Sequence, residues 1–258
     1  MHNIITDQIE GVFNIILNRP EVYNGFNMAM AKEVQDALDY CSNNDSVRVV
    51  VLTSHGKAFS SGQDLKEANG PNAPSMRTIL TEQYNPIILK IRHCPKPVIA
   101  GVNGVAAGAG ANIALACDLV IASQSAKFIQ AFSKIGLIPD SGGTYFLPRL
   151  IGLRNAMALM MTGDSISSME AKEMGMIYKV VEDENFKSEL NAFAKKVSEM
   201  PTKALTYTKF ALYESLQNDL EQQLDCELKY QEMAGSTEDF KEGVNAFIEK
   251  RKALFNGK

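Results

Sequence analysis

The alternation of apolar and polar positions sets out most of the chain's elements. Residues 3–9 and 12–17 form strand-like runs around Glu10-Gly11, and Asn18-Arg19-Pro20 stops the second, which predicts a hairpin. Met30, Val34, Ala37, Leu38 and Cys41 then recur at i, i+4, i+7, i+8 and i+11, one stripe of a helix ending in Ser42-Asn43-Asn44-Asp45. Val49 to Leu52, extended backwards by Val47 and Arg48, is a continuous apolar run, the pattern of a strand buried on both faces. Loops are expected over 54–64 and 69–75, and a second helix over 76–92. Pro97 to Val102 reads as a strand, Asn103 to Gly110 as a Gly/Ala loop and Ala111 to Cys117 as a helix. Leu119 to Ala122 and Ala126 to Gln130 read as two further strands. From about residue 184 only helical patterning remains, with Val197, Leu205, Leu212, Leu216, Leu224, Leu228 and Phe247 at its apolar positions. The rhythm predicts a mixed α/β core over 1–195 and a helical region over 196–258.

Composition narrows the classes. The 258 residues are 45% hydrophobic and 22% charged, enough for a large packed core and unlike a disordered chain. A net charge of −4 argues against a nucleic-acid binder, while leaving room for a local basic pocket. No apolar run reaches the roughly 20 residues that span a bilayer, and Met1 to Pro20 carries no secretory pattern. The expectation is a cytoplasmic protein with no membrane or nucleic-acid partner. Cys41, Cys94, Cys117 and Cys226 are scattered and are read as reduced; with only His2, His55 and His93 there is no metal-ligand spacing, so no metal is expected. The chemistry falls to carboxylates, backbone amides or a borrowed cofactor.

Three loops are candidates for it: 59–65 (FSSGQDL), 104–110 (GVAAGAG) and 136–144 (GLIPDSGGT). Small residues let a ligand approach the backbone, and two amides at loop-to-helix junctions can stabilise one developing oxyanion. A dinucleotide site fails because Ile113 stands where the third glycine belongs and no strand-end acid follows. Asp140-Ser141-Gly142-Gly143 looks like a serine-protease nucleophile loop, but no histidine sits in a matching context and there is no GxSxG elbow.

The third reading rests on several motifs in order. KPVIAGVNGVAAGAGANIALACDLVIAS at 96–123 and AKFIQAFSKIGLIPDSGGTYFLPRLIG at 126–152 resemble the enoyl-CoA hydratase/isomerase (crotonase) superfamily. LNRPEVYNGF at 17–26, GKAFSSGQDLKE at 56–67, Met161-Thr162-Gly163-Asp164, Ala171 to Gly175 and 247–252 (FIEKRK) extend the resemblance over nearly the whole chain. GQDL with PDSGGTYFLPRLIG is most similar to the 2-(1,2-epoxyphenylacetyl)-CoA isomerase group.

The resemblance implies a spiral of ββα turns followed by helices that assemble trimers or paired trimers. It implies an acyl-CoA thioester substrate, with no cofactor beyond the CoA that the substrate carries. The backbone N–H groups of Gln63 and Ala109 would hold a thioester enolate. The family's hydratases carry two glutamates, and this chain has Asn112 and Phe132 at those positions. What remains is Asp140, the isomerase acid/base position, for which Phe132, Leu137 and Ile138 are candidate apolar walls. Read locally, the same Asp140 is a helix N-cap. Lys250 would meet the nucleotide end of CoA, or be an ordinary cation at a helix C-terminus; Arg19 and Lys57 are further candidates. Val22, Gln63, Asp64 and Leu65 would hold adenine and pantetheine through backbone, with Asp64 itself a turn or cap residue. Gly108 belongs to the oxyanion loop, and Asn112 and Tyr145 are candidates to line the acyl pocket or simply to pack. The implied activity is isomerisation, of 3-enoyl-CoA to 2-enoyl-CoA or of an epoxyphenylacetyl-CoA to an oxepin. A hydratase and an inactive CoA-binding protein are the alternatives.

Overall fold

The computed structural model describes residues 3–71 and 73–258; Asn72, within the expected 69–75 loop, and Met1 and His2 lie outside the described residues. The chain begins with the antiparallel hairpin of β1 (Ile4–Ile9) and β2 (Val12–Leu17). Helix α1 (Met28–Asn43) follows, capped by the Asn27 side chain, which accepts from Met30 N. Its stripe is buried as expected, and Met30, Val34 and Leu38 have no exposed surface. Each such side chain contributes about 1.5–3 kcal/mol.

Strands β3 (Val49–Ser54) and β4 (Ala58–Ser60) lead to the short α2 (Leu65–Ala68). The helix expected over 76–92 is α3 (Met76–Thr78), a π-helical stretch Ile79–Tyr84 and α4 (Asn85–His93) in succession. Then come β5 (Val98–Val102), β6 (Val105–Ala107), α5 (Ala109–Ala116), β7 (Leu119–Ser123) and β8 (Lys127–Ile129). Helices α6 (Gly143–Ile151) and α7 (Leu153–Thr162), strand β9 (Ser165–Ser167), α8 (Ser168–Glu173) and β10 (Lys179–Val181) close the sheet region. The helical part is α9 (Phe186–Ser198), α10 (Thr202–Glu214), α11 (Leu220–Gly235) and α12 (Glu238–Glu249).

Two sheets result. The larger runs β1-β2-β3-β5-β7-β10, parallel from β2 onward, and the smaller runs β4-β6-β8-β9. Each turn of the chain sends one strand to each sheet, β3 then β4, β5 then β6, β7 then β8, which is the expected spiral. The central strands β3 and β5 are buried on both faces, as their unbroken apolar runs require.

Two expected loops are corrected. Within 54–64 lies β4, and within 103–110 lies β6. Three-residue strands, Ala-Phe-Ser and Val-Ala-Ala, carry no period of their own. They are strands because each pairs with the next, Ala58 with Val105 and Val105 with Lys127. The boundary expected at 195/196 falls inside α9, whose Phe186, Leu190 and Ala194 pack with Val49, Val51, Ile99 and Ile121 on the outer face of the larger sheet.

Helix α10 is locked to the core by a buried ion pair. Lys209 Nζ lies 2.9 Å from Asp118 Oδ2 and also donates to the carbonyls of Ile91 and Cys94. No helix among the described residues is long and apolar enough to cross a membrane.

Candidate active site

The first two candidate loops meet through glycine. Gly62 has φ +89°, and a Cβ there would stand 3.0 Å from Ala107 O and 3.3 Å from Ala109 N. A Cβ on Gly110 would lie 2.6 Å from both Ser60 Cβ and Ser60 O. Only glycine at both positions lets the turn after β4 close on the N-terminus of α5. Gly108, with φ +53° and ψ −126°, precedes that helix in a backbone conformation that L side chains avoid.

The turn is held rigidly. Phe26 N donates to Gly62 O and Asp64 N to Phe26 O, at 2.7 and 2.8 Å, while Gly62 N donates to Ser60 Oγ. Asn24 is fully buried with φ +54°, and its amide donates to the carbonyls of His55 and Ala58. Among the described residues, neither Gln63 N nor Ala109 N has a hydrogen-bond acceptor, although every flanking amide named above does. Two free donors therefore sit on adjoining, pinned loops, the geometry an oxyanion needs.

The third loop is tied to the same place. Asn112, in the first turn of α5 and fully buried, donates from Nδ2 to Asp140 O at 2.8 Å. Its Oδ1 accepts from Gln130 Nε2, also at 2.8 Å. A Cβ on Gly143 would fall 2.4 Å from Asn112 Nδ2, so this approach too depends on glycine. The Phe132 ring is buried and faces Gly108, its Cζ 3.8 Å from where a Cβ would be.

The Asp140 carboxylate does not cap a helix. Gly142 precedes α6 without any side-chain cap, and Asp140 Oδ1 accepts instead from Ser141 Oγ at 2.8 Å. Burial raises its pKa above the usual aspartate value, and the Ser141 hydrogen bond pulls the other way. Of the candidate walls, Phe132 is buried, whereas Leu137 is partly exposed and Ile138 is 81% exposed in the single chain, so Ile138 shields nothing within it. Ser141 is buried with φ +51° and bonded to Asp140; no histidine bonds to either among the described residues, so the serine-hydrolase constellation does not form.

Tyr84, at the end of the π-helical stretch, is buried and donates to Gln63 Oε1 at 2.8 Å. Its hydroxyl pKa is held well above normal, first by burial and then by the Asp140 charge.

The remaining candidates divide into two groups. Val22, Asp64 and Leu65 lie on one rim: a Cβ on Gly25 would touch Val22 O at 3.3 Å and Asp64 Cα at 3.5 Å. Asp64 caps α2, accepting from Lys66 N, and pairs with Arg19 at 2.9 Å. Arg19 also donates to Gly25 O, so its guanidinium braces this rim. Lys57 is exposed. Lys250 stands exposed at the C-terminus of α12, and no hydrogen bond or ion pair joins it to that rim among the described residues. Tyr145 stands apart from the two amides: it lines cavities of 510 and 580 Å³ with Arg92, Phe146 and Tyr213, and neither is lined by Gln63, Ala109 or Asp140. Among the described residues no group of three or more His, Cys, Asp or Glu could hold a metal ion.

Gln130, Tyr84 and Asn24 escape a reading of the sequence. Gln130 follows a short strand, Tyr84 depends on a π turn, and only the positive φ of Asn24, a residue type suited to it, leaves a local trace.

Known proteins agree with this architecture. The family model for enoyl-CoA hydratase/isomerase matches residues 7–258. The chain is 44% identical to a 1,2-epoxyphenylacetyl-CoA isomerase of Escherichia coli over the full length of both, and 45% identical to a probable enoyl-CoA hydratase of Rhodobacter capsulatus, covering 100% of this chain and 99% of that one. The crystal structure of an enoyl-CoA hydratase from Bacillus anthracis superposes with a TM-score of 0.95 at 36% identity, covering 99% of this chain and 100% of the other. With its fold, its paired amide loops and a match spanning nearly all of its length, this chain belongs to the enoyl-CoA hydratase/isomerase family and has the crotonase fold.

Proposed function

We propose that the protein is an acyl-CoA isomerase that works through a thioester enolate with one carboxylate, Asp140. The observation that carries this reading is the state of the two positions that resemble the hydratase glutamates. Asn112 has both ends of its amide engaged, and Phe132 places a buried ring against Gly108. Neither residue can ionise, so neither can take a proton from water or deliver one to carbon.

The amides of Gln63 and Ala109 receive the thioester oxygen. Proton loss from C2 places negative charge on that oxygen, and the two fixed donors stabilise it without reorganisation. Asp140 takes the C2 proton and returns it at C4, which moves the double bond from C3 to C2. Its raised pKa makes it a better base than ordinary aspartate. With an epoxyphenylacetyl-CoA the same enolate-stabilising site supports ring expansion to the oxepin; the identity to the E. coli isomerase favours this substrate. Val22, Gln63, Asp64 and Leu65 are proposed to meet pantetheine and adenine, and Gly108 and Asn112 to shape the acyl site, while Tyr145 is left to pack. Lys250 is proposed to meet the CoA phosphates of a neighbouring subunit. No cofactor beyond CoA enters the scheme. A homotrimer, or a pair of trimers, is proposed because Leu220, Phe247 and Ile248 in the helical region are more than 70% exposed in the single chain, and the cytoplasm is the proposed location.

The test is mass spectrometry of the purified protein with a trans-3-enoyl-CoA in deuterated water, and then with the aromatic epoxide and a trans-2-enoyl-CoA. Conversion to an isomer of unchanged oxygen content supports the reading. Formation of a 3-hydroxyacyl-CoA from a trans-2-enoyl-CoA, with no isomerisation of the other two substrates, is in keeping with the name of the R. capsulatus relative and overturns it. CoA binding without turnover of any of the three identifies a non-catalytic member.

A further inference from the structure

The Asn112 bridge has a further support that no step above uses. Gln130 is 2% exposed just after β8, and its Nε2 is the donor to Asn112 Oδ1. Its own Oε1 is buried and has no hydrogen-bond partner. The orientation of both amides follows from one fixed point. Asp140 O is a carbonyl and accepts only, so Asn112 must turn Nδ2 toward it. That leaves Oδ1 facing Gln130, which must therefore present Nε2 and strand its oxygen. Turning the Gln130 amide over would set two oxygens against each other. A buried amide oxygen without a donor is uncommon and calls for an explanation. Here it is the consequence of keeping Asn112 in a single orientation.

We infer that Gln130 is a positioning residue for the reaction: it holds the Asn112 amide, which in turn holds the Asp140 main chain beside the Gln63 and Ala109 donors. The inference rests on the reading of Asp140 as the acid/base. The loop before Asp140 makes such support necessary. Residues 133–138 are exposed, and Asp140 has no regular secondary structure around it. Its carbonyl is anchored by Gly143 N and by Asn112 Nδ2, and only the second tie reaches across to α5, the helix that carries Ala109. Losing it frees the carboxylate relative to the oxyanion site while leaving the substrate's CoA contacts alone.

The test is Gln130→Met, which keeps length and removes the amide, measured on whichever of the two proposed substrates the wild type isomerises. The expected result is a fall in kcat of about 10- to 100-fold with KM nearly unchanged, since misplacement of a catalytic group by about 1 Å has effects of that size. The melting temperature should stay within about 4 °C, because the variant exchanges one stranded oxygen for another: Gln130 Oε1 goes and Asn112 Oδ1 loses its donor. In an Asn112→Ala background the same substitution should cost nothing further, since Gln130 acts only through Asn112. An unchanged kcat, or an equal loss in the Asn112→Ala background, overturns the inference. Asp140→Asn separates the two levels. If it stops turnover while Gln130→Met does not slow it, only the positioning role fails. If Asp140→Asn keeps wild-type turnover, or if the wild type isomerises neither substrate, the reading of the site fails and takes this inference with it.

Discussion

Gly62→Ala tests the oxyanion site where no side-chain deletion can, because both donors are backbone groups. The added Cβ would meet Ala107 O at 3.0 Å and Ala109 N at 3.3 Å, the second being one of the two proposed donors. It would also hold alanine at φ +89°. The positive φ costs about 1–2 kcal/mol, and forcing a methyl into a packed site costs about 1–3 kcal/mol more. The sum, about 2–5 kcal/mol, lowers the melting temperature by about 2–4 °C per kcal/mol in a chain of this size. The relief is a shift of the 107–109 backbone by a few tenths of an ångström, which spoils one donor. Loss of one oxyanion donor costs about 10²–10³ in kcat. Gly136→Ala is the control, with φ +72° and nothing within 4 Å of the added Cβ, so it carries the conformational cost without the contact. Steady-state kinetics at a temperature where both variants are folded should show kcat reduced in Gly62→Ala alone. Equal kcat values in the two variants would refute the assignment of Ala109 N to the transition-state oxygen.

Asp140→Asn should lower kcat by about 10²–10⁴-fold, the usual span for a general acid/base, and at pH 7 it should not lower the melting temperature. The sign follows from burial, which raises the folded-state pKa above the unfolded value. Between those values the folded state binds the extra proton, so stability declines as pH rises through that window, and a neutral amide escapes the loss. Ser141→Ala removes the hydrogen bond that opposes burial at Asp140, so the acid limb of the kcat–pH profile should move to higher pH; a limb that stays or moves down contradicts the assignment of that limb to Asp140. Lys209→Met strands Asp118 beneath α10 and should cost about 3–5 kcal/mol, as broken buried pairs do; calorimetry showing a negligible change would mean that α10 is held by other contacts.

The apolar period alone placed the hairpin, α1, the central strands β3, β5 and β7, and the helical region after 184, because these elements bury broad faces whose spacing the residues must match. The order of loop motifs disclosed the family and put Gln63, Ala109 and Asp140 forward as candidates. The sequence could not disclose β4 or β6, whose three residues become strands only by pairing with neighbours distant along the chain. Whether Asp140 caps α6 or stands free was open in the sequence, since PDSGG suits both; the tertiary structure decided it by placing Gly142 before the helix and bonding Asp140 to Ser141 and Asn112. Gln130 and Tyr84 were invisible for the same reason. Their roles lie in contacts 18 and 21 residues away, and a hydrogen bond between distant side chains imposes no local period. Periodicity records what each segment buries, whereas the site consists of which segments meet, and that is settled only when the glycines at 62, 110 and 143 let three backbones close on one another.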